Sequence, residues 1–415
     1  MASTLPGIGT RPDQALALNM KLLSHNELEG FGGIGEGMAM QLARDGRRIL
    51  WLAHESAPKN FTAVDVSDPT KPKVVVQTEL PHAKVRSNSL DIVGSTMAVA
   101  YQTSVLNTQP AGFDLFDIST PERPKLISHF DASGPYSRGV HAVWFVDGEY
   151  IHMASGAADF QPTHPSDDQF YRIIDVRNPS RPTEVGRWWM PGTRVGDSVA
   201  PPVRHPKFDS GFRAHNTNVF PERPDRAYIG YISGGAVILD ISDKSHPRLV
   251  AHWRYSPPYT GFTHTVLPLF KRELLIVSDE CTYDDGKDWP KLVWVVDARV
   301  ESNPVPISTF PIPPVKTFAK GGSRYGAHNL HENLPVAGSW RSDEVVVGTY
   351  FGGGVRVHDV SNPYQPQEIA YYVPAAPKLS RAGAIQLNDV YVDDRRLVYT
   401  VDRFAGGLYV LEMTI

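Results

Sequence analysis

The sequence predicts an all-β fold: a single seven-bladed β-propeller over residues 1–415, with an N-terminal strand closing the last blade. Three observations predict it. A strand–aspartate–turn–strand unit recurs along the chain, the spacing of its copies leaves room for two further strands in each, and the two chain ends carry complementary parts of one more copy.

The recurring unit reads "FTAVDVSDPTKPKVV", "FDLFDISTPERPKLI", "YRIIDVRNPSRPTEV", "AVILDISDKSHPRLV", "VWVVDARVESNPVPI" and "VRVHDVSNPYQPQEI". Its aspartates are Asp65, Asp117, Asp175, Asp240, Asp297 and Asp359, roughly 50–65 residues apart, as blades with loop insertions require. An aspartate in this setting accepts the backbone N–H two residues on, and the following proline fixes φ for the reversal. These aspartates are therefore read as structural. Upstream of each unit lie two more strand-like runs, such as "HTVLPLF" and "ELLIVSD" before "KLVWVVD", which gives the four strands of a blade. The seventh copy, "NDVYVDDRRLVYTVDRFAGGLYVLEMTI", ends with Glu412 where the aspartate belongs. Its missing strand lies at the other end of the chain, where "MKLLSHNELEG" aligns with "PKLISHFDASG" and "PRLVAHWRYSP". Blades are expected at about 32–80, 85–133, 138–190, 213–256, 261–311, 326–373 and 384–415, the last completed by a strand in 20–30. The aligned His25, His129 and His252 then fall on outermost strands and serve packing or hydrogen bonding.

These repeats resemble the LVIVD-repeat family of β-propellers, and the resemblance covers nearly the whole chain. It implies the fold and leaves the function open, because propellers host many activities.

Bulk composition narrows the function. A formal net charge of -4 gives no global basic field, so nucleic acid is not an expected partner. One cysteine, Cys281, excludes a disulfide framework and a thiolate metal site. No apolar run approaches the ~18 residues of a membrane span, and "MASTLPGIGTRPDQ" has neither a basic nor an apolar leader region. A cytoplasmic protein acting on a small molecule is the expectation, with no membrane partner. "GFGGIGEG" enters a strand and not a helix, so it is not a phosphate loop, and no G-x-S-x-G or H-E-x-x-H motif occurs.

The functional signal is a set of histidines. "SRGVHAVWF", "FRAHNTNVF", "FTHTVLPLF" and "YGAHNLHEN" place His141, His215, His264 and His328 at the start of the first strand in four successive blades, the third to the sixth. First strands line a propeller's channel, so four imidazoles converge on the axis near one mouth. Near Glu36 and Asn88 in the first two blades, and at Gln386 or Asn388 in the seventh, the matching position holds another polar residue. Imidazoles without thiolates suit one divalent transition metal, with iron(II) favoured and Mn, Zn or Cu as alternatives. Long loops elaborate the same blades, such as "SGAADFQPTHPSDDQF" and "DECTYDDGKDWP", as binding loops do. Arg138, Arg213 and Arg324 precede channel histidines, with Arg86 and Arg381 in similar linkers, and together they suit an anionic substrate. Glu280 and Tyr283, beside Asp279, are candidate acid/base groups. Tyr325, Tyr350, His331, Glu332, His164 and His205 are secondary candidates.

Four channel histidines in a seven-bladed propeller resemble the arrangement of the carotenoid and stilbene cleavage oxygenases, where four histidines hold Fe(II). They are also similar to those of the methanethiol oxidase (selenium-binding) propellers. The resemblance rests on His141, His215, His264 and His328 and implies a non-haem oxidoreductase or oxygenase acting on a small, anionic or aromatic, organic substrate. A metal-dependent lyase or hydratase is the alternative, similar to propeller lyases that pair a His-bound Mn with arginines for a uronate. A non-catalytic protein-binding propeller is the third reading.

Overall fold

The computed structural model describes residues 14–313, 322–380 and 383–415. Seven antiparallel sheets follow one another in chain order, each with consecutive strands as neighbours. Blade one runs Ile34–Leu42, Arg48–His54, Lys59–Asp65 and Lys73–Glu79 from the channel outward. The expected closure forms: Met20–Asn26 pairs antiparallel with Leu408–Met413 and supplies the outer strand of blade seven. The inner strand of that blade, Leu387–Val392, packs beside Ile34–Leu42, so the ring closes without an open edge between first and last blades.

Burial follows from this geometry. Each blade is covered on both faces by its neighbours, so several middle strands are buried along nearly their whole length and do not alternate. Arg48–His54 is buried at all positions but its first, and Leu274–Asp279 is buried along its whole length. Outer strands such as Lys73–Glu79 are half-buried. The six repeat aspartates do what their turns require. Asp65, Asp117, Asp175, Asp240, Asp297 and Asp359 each accept the backbone N–H of the residue two further on, at 2.7–3.0 Å. The three outer-strand histidines are also structural: His25 bonds the Gly406 carbonyl and stacks on Tyr409, His252 bonds the Gly234 carbonyl, and His129 bonds Asp114.

Two details differ from expectation. Blade six has no extended first strand around His328. That segment is held by its His328 N–H to the Thr349 carbonyl and by isolated bridges from Tyr325 to Phe351 and from Leu330 to Gly348. Blade six also gains an outer strand, Leu16–Leu18, paired with Gln367–Val373, so the N-terminal segment contributes to two blades.

Candidate metal centre

The channel histidines are aimed by backbone irregularities. Along the first strands of blades one, three, five and seven the pairing with the second strand slips between Ile34 and Met38, Val140 and Ala142, Thr263 and Thr265, and Leu387 and Asp389. Glu36, His141, His264 and Asn388 sit inside those slips, and a bulge turns a side chain that a regular strand would alternate away from the axis. His215 precedes its strand, Thr217–Phe220, and is held by its N–H to the Gly230 carbonyl.

The four imidazoles form a chain, with ring centroids 4.2 Å apart for His141 and His215, 3.9 Å for His215 and His264, and 4.7 Å for His264 and His328. All are buried. Each Nδ1 is tied: to Gln102 Oε1 at 3.1 Å, Asn216 Oδ1 at 2.8 Å, Thr265 Oγ1 at 2.8 Å and the Asn388 carbonyl at 2.6 Å. The amide and backbone oxygens can only accept, so Nδ1 carries the hydrogen there and Nε2 turns its lone pair inward. His264 and His328 Nε2 are buried without a hydrogen-bond partner. The Nε2 atoms of His141 and His215 face each other at 2.8 Å. Two lone pairs at that distance repel unless a proton or a cation lies between them.

A carboxylate completes the group. Glu36 Oε2 lies 3.6, 3.9 and 3.7 Å from Nε2 of His141, His215 and His264, and its Oε1 lies 3.7 Å from that of His328. Glu280 approaches His215 at 3.7 Å and His328 at 3.8 Å, anchored by Arg324 at 2.7 Å. In two sets, Glu36–His215–His264 and His264–Glu280–His328, all donor atoms fall within 4.8 Å of one another. Donors bound to one ion at the usual lengths stand roughly 3–4 Å apart, so the residues fit a metal.

The electrostatics agree. Burial, reinforced by the neighbouring imidazole, pulls His215 down to about 4 and lowers His141 and His264 as well, so these rings are neutral near pH 7, the form a metal requires. Burial pushes both glutamates up, but the facing imidazoles overcome it at Glu36, and His328 with Arg324 overcome it at Glu280, which is held down at about 2. The donor set is imidazole and carboxylate. Cys281, the single thiol, is buried away from it against Asp288 and the Tyr283 carbonyl.

The other predicted residues divide. Arg138 forms a two-pronged pair with Asp168 at 2.5 and 2.8 Å, and Arg213 reaches the same carboxylate at 3.6 Å. Arg86 binds Glu55 and Gln102, the residue that orients His141. Arg381 lies outside the described residues. Tyr283 is not gathered in. It is 44% exposed against Phe208, because Asp288 accepts the Thr282 and Tyr283 N–H groups and turns the loop outward. Asp279 is engaged by Tyr255 and the Leu292 N–H, and Tyr325 and Tyr350 are packed in the interior. His331 is fixed between the Trp340 carbonyl and the Val392 N–H. His205 caps a local turn and His164 stands in the wall of an outer cavity.

A cavity of about 50 Å³ against Glu36 is walled by Asp91, Glu332 and Asp389 among others, enough for a few waters. Burial pushes all three carboxyls up, Glu332 to about 6 against the pull of Asn218 and Asn216. Sequence reasoning located Glu36 on the ring and gave it no role. Its signal was its equivalence to the histidine positions, and no local motif marks it.

Fold and site together define a repeat propeller with a candidate metal centre at its axis. Comparison with known proteins agrees on the fold. Residues 57–78, 168–189 and 225–254 match the LVIVD repeat, falling on the third and fourth strands of blades one and three and on the second to fourth strands of blade four; the chain carries LVIVD repeats. A crystal structure of a protein from Lactobacillus plantarum is similar over 81% of this chain and 85% of its own, with a TM-score of 0.54 and 11% identity, a likeness of fold alone. No curated protein matches the chain. Among the described residues, no helix is long and apolar enough to cross a membrane.

Proposed function

We propose that this propeller is a metal-dependent oxidoreductase acting on a small organic molecule, with one divalent transition metal, iron(II) foremost, held by His141, His215, His264, His328 and Glu36. The observation that carries this reading is the convergence of four Nε2 atoms on rings whose Nδ1 atoms are already committed to other partners. A redox-active divalent ion in such a set, when bound, supplies electron transfer to oxygen or substrate. The chain's own residues fix the donors, keep the rings neutral by burial and exclude bulk water. Gln102, Asn216, Thr265 and the Asn388 carbonyl orient the imidazoles, as outer partners of metal-binding histidines do.

The test is metal content by mass spectrometry on protein purified without chelator or nickel, beside His215→Ala and His264→Ala. About one ion per chain in wild type, lost in both variants, supports the centre. Oxygen consumption by the loaded protein then supports the redox reading. A metal-bound protein indifferent to oxygen would favour the lyase reading, for which Glu280, ionised and facing the same rings, is the base. Folded wild type without metal, even after anaerobic reconstitution, would leave a binding propeller.

A further inference from the structure

Phe262 belongs to two surroundings at once. It is part of the wall of an outer cavity of about 510 Å³, together with Leu106, Arg138, His164, Asp168 and Arg213. Leu106 and His164 are exposed and Phe262 is buried, so the cavity leads from the surface to a phenyl ring. The same ring meets His215 of the histidine ring edge to face, 6.0 Å between centroids. A second outer cavity, about 350 Å³, meets the histidines through Gln102, which occupies the Nδ1 side of His141 and not the inward-facing Nε2. Of these two cavities, the larger is therefore the one that ends on a channel histidine with one side chain between.

The backbone at that side chain is unusual. φ is +65° at Gly261 and +78° at Phe262. Glycine enters this region freely, whereas a bulky residue there is an outlier. Neighbours pin the pair: Lys291 Nζ donates to the Gly261 carbonyl at 2.8 Å and lies 5.6 Å from the phenyl centroid, and the Glu280 N–H donates to the Phe262 carbonyl at 2.9 Å. Glycine at 262 would satisfy the same backbone without strain. A phenyl in such a place fills space that the site needs filled, and strain of this kind collects at functional sites.

We infer that Phe262 is a specificity-determining residue: the larger cavity is the substrate's approach to the histidine ring, and the phenyl limits the size of what passes to His215. The molecule admitted is small and organic with an apolar leading end, because the cavity ends on an aromatic ring. Its wall sets two guanidiniums, Arg138 at 2.5 Å and Arg213 at 3.6 Å, on the single carboxylate of Asp168. That leaves one net positive charge, which disfavours a cation. The inference rests on the oxidoreductase reading for what happens at the ring, but passage to the ring is measurable without metal.

The experiment is histidine modification of the chelated full chain by diethyl pyrocarbonate and, separately, by the bulkier 4-bromophenacyl bromide, in wild type, Phe262→Gly and Phe262→Trp. Peptide mass spectrometry reads the summed rate at His141, His215, His264 and His328, relative to exposed His246, with buried His331 as the measure of general loosening. Glycine suits the backbone at 262, so Phe262→Gly removes the phenyl and keeps the turn. The expected result is a channel rate about tenfold or more higher in Phe262→Gly, more so for the bulkier reagent, with His331 unchanged. Equal rates in wild type and Phe262→Gly with both reagents overturn the inference. If His331 rises in parallel, Phe262→Trp decides: a channel rate several-fold below wild type supports the inference and an unchanged one overturns it. Because metal is absent throughout, a gated channel in a protein that binds no metal would sink the metal reading and keep this one.

Discussion

Glycine 230 shows how closely the scaffold bears on the site. It ends the second strand of blade four, and a Cβ there would overlap the backbone carbonyl of His264. Gly230→Ala therefore has to displace the segment that carries a donor. The expected outcome is a loss of about 1–3 kcal/mol in urea unfolding, from overpacking, together with a several-fold fall in bound metal. Gly186→Ala is the matched control. Its Cβ would overlap the Lys244 carbonyl at the outer edge of the ring, so stability falls while metal content holds. Glu332 offers a second test at this scale. Burial raises its carboxyl to about 6, above the ordinary 4.5, so its contribution to stability is complete below pH 4.5 and is lost as pH rises through 6. Glu332→Gln removes that titration. Relative to wild type, the variant should gain about 1–2 kcal/mol between pH 4 and pH 8, read from urea midpoints at the two pH values; a constant difference would show that Glu332 does not titrate in this range.

Among the elements, the closing strand is the one the ring depends on. Met20–Asn26 makes six residue pairs with Leu408–Met413. At the usual net worth of a hydrogen bond, deleting residues 1–26 costs roughly 3–6 kcal/mol, and it leaves Leu408–Met413 as an exposed edge. The truncated protein should unfold at lower urea and self-associate in sedimentation velocity. That strand was legible in the sequence because its "KLLSH" run repeats the outer strands of other blades, and the first six blades were legible because an aspartate and a proline enforce one turn in each. What was not legible is where chain and repeat part company. The bulges that aim Glu36, His141 and His264 leave no residue signature, since a slip in pairing depends on the partner strand. Tyr283 has the right chemistry for a site residue, yet the Asp288 side chain folds its loop outward. Glu36 gained its role only through the ring, where it faces four imidazoles from four other blades.

At the scale of the whole molecule, the donors come from five of the seven blades: Glu36 from the first and one histidine from each of the third to sixth. An ion bound to them ties together blades that lie apart in the ring, adding to the bonds that Asn216 and Asn218 of blade four already make to Glu332 of blade six. Binding to the folded state alone stabilises by the linkage relation, about 4 kcal/mol at a thousandfold excess over Kd. Without a cation, the same donors oppose folding, because two Nε2 lone pairs face each other at 2.8 Å and two more are buried without partners. These two effects have the same sign for metal binding and opposite signs for mutation. Chelation at pH 7 should lower the melting temperature of wild type by several degrees and leave His215→Ala unmoved. In chelator, His215→Ala should melt at or above wild type, since it relieves the lone-pair contact; with metal restored, wild type should melt higher. Differential scanning calorimetry of both proteins, with and without chelator, reads all four values. A variant that is less stable than wild type by the same margin in both conditions would make His215 a packing residue and remove the basis for a metal centre in this channel.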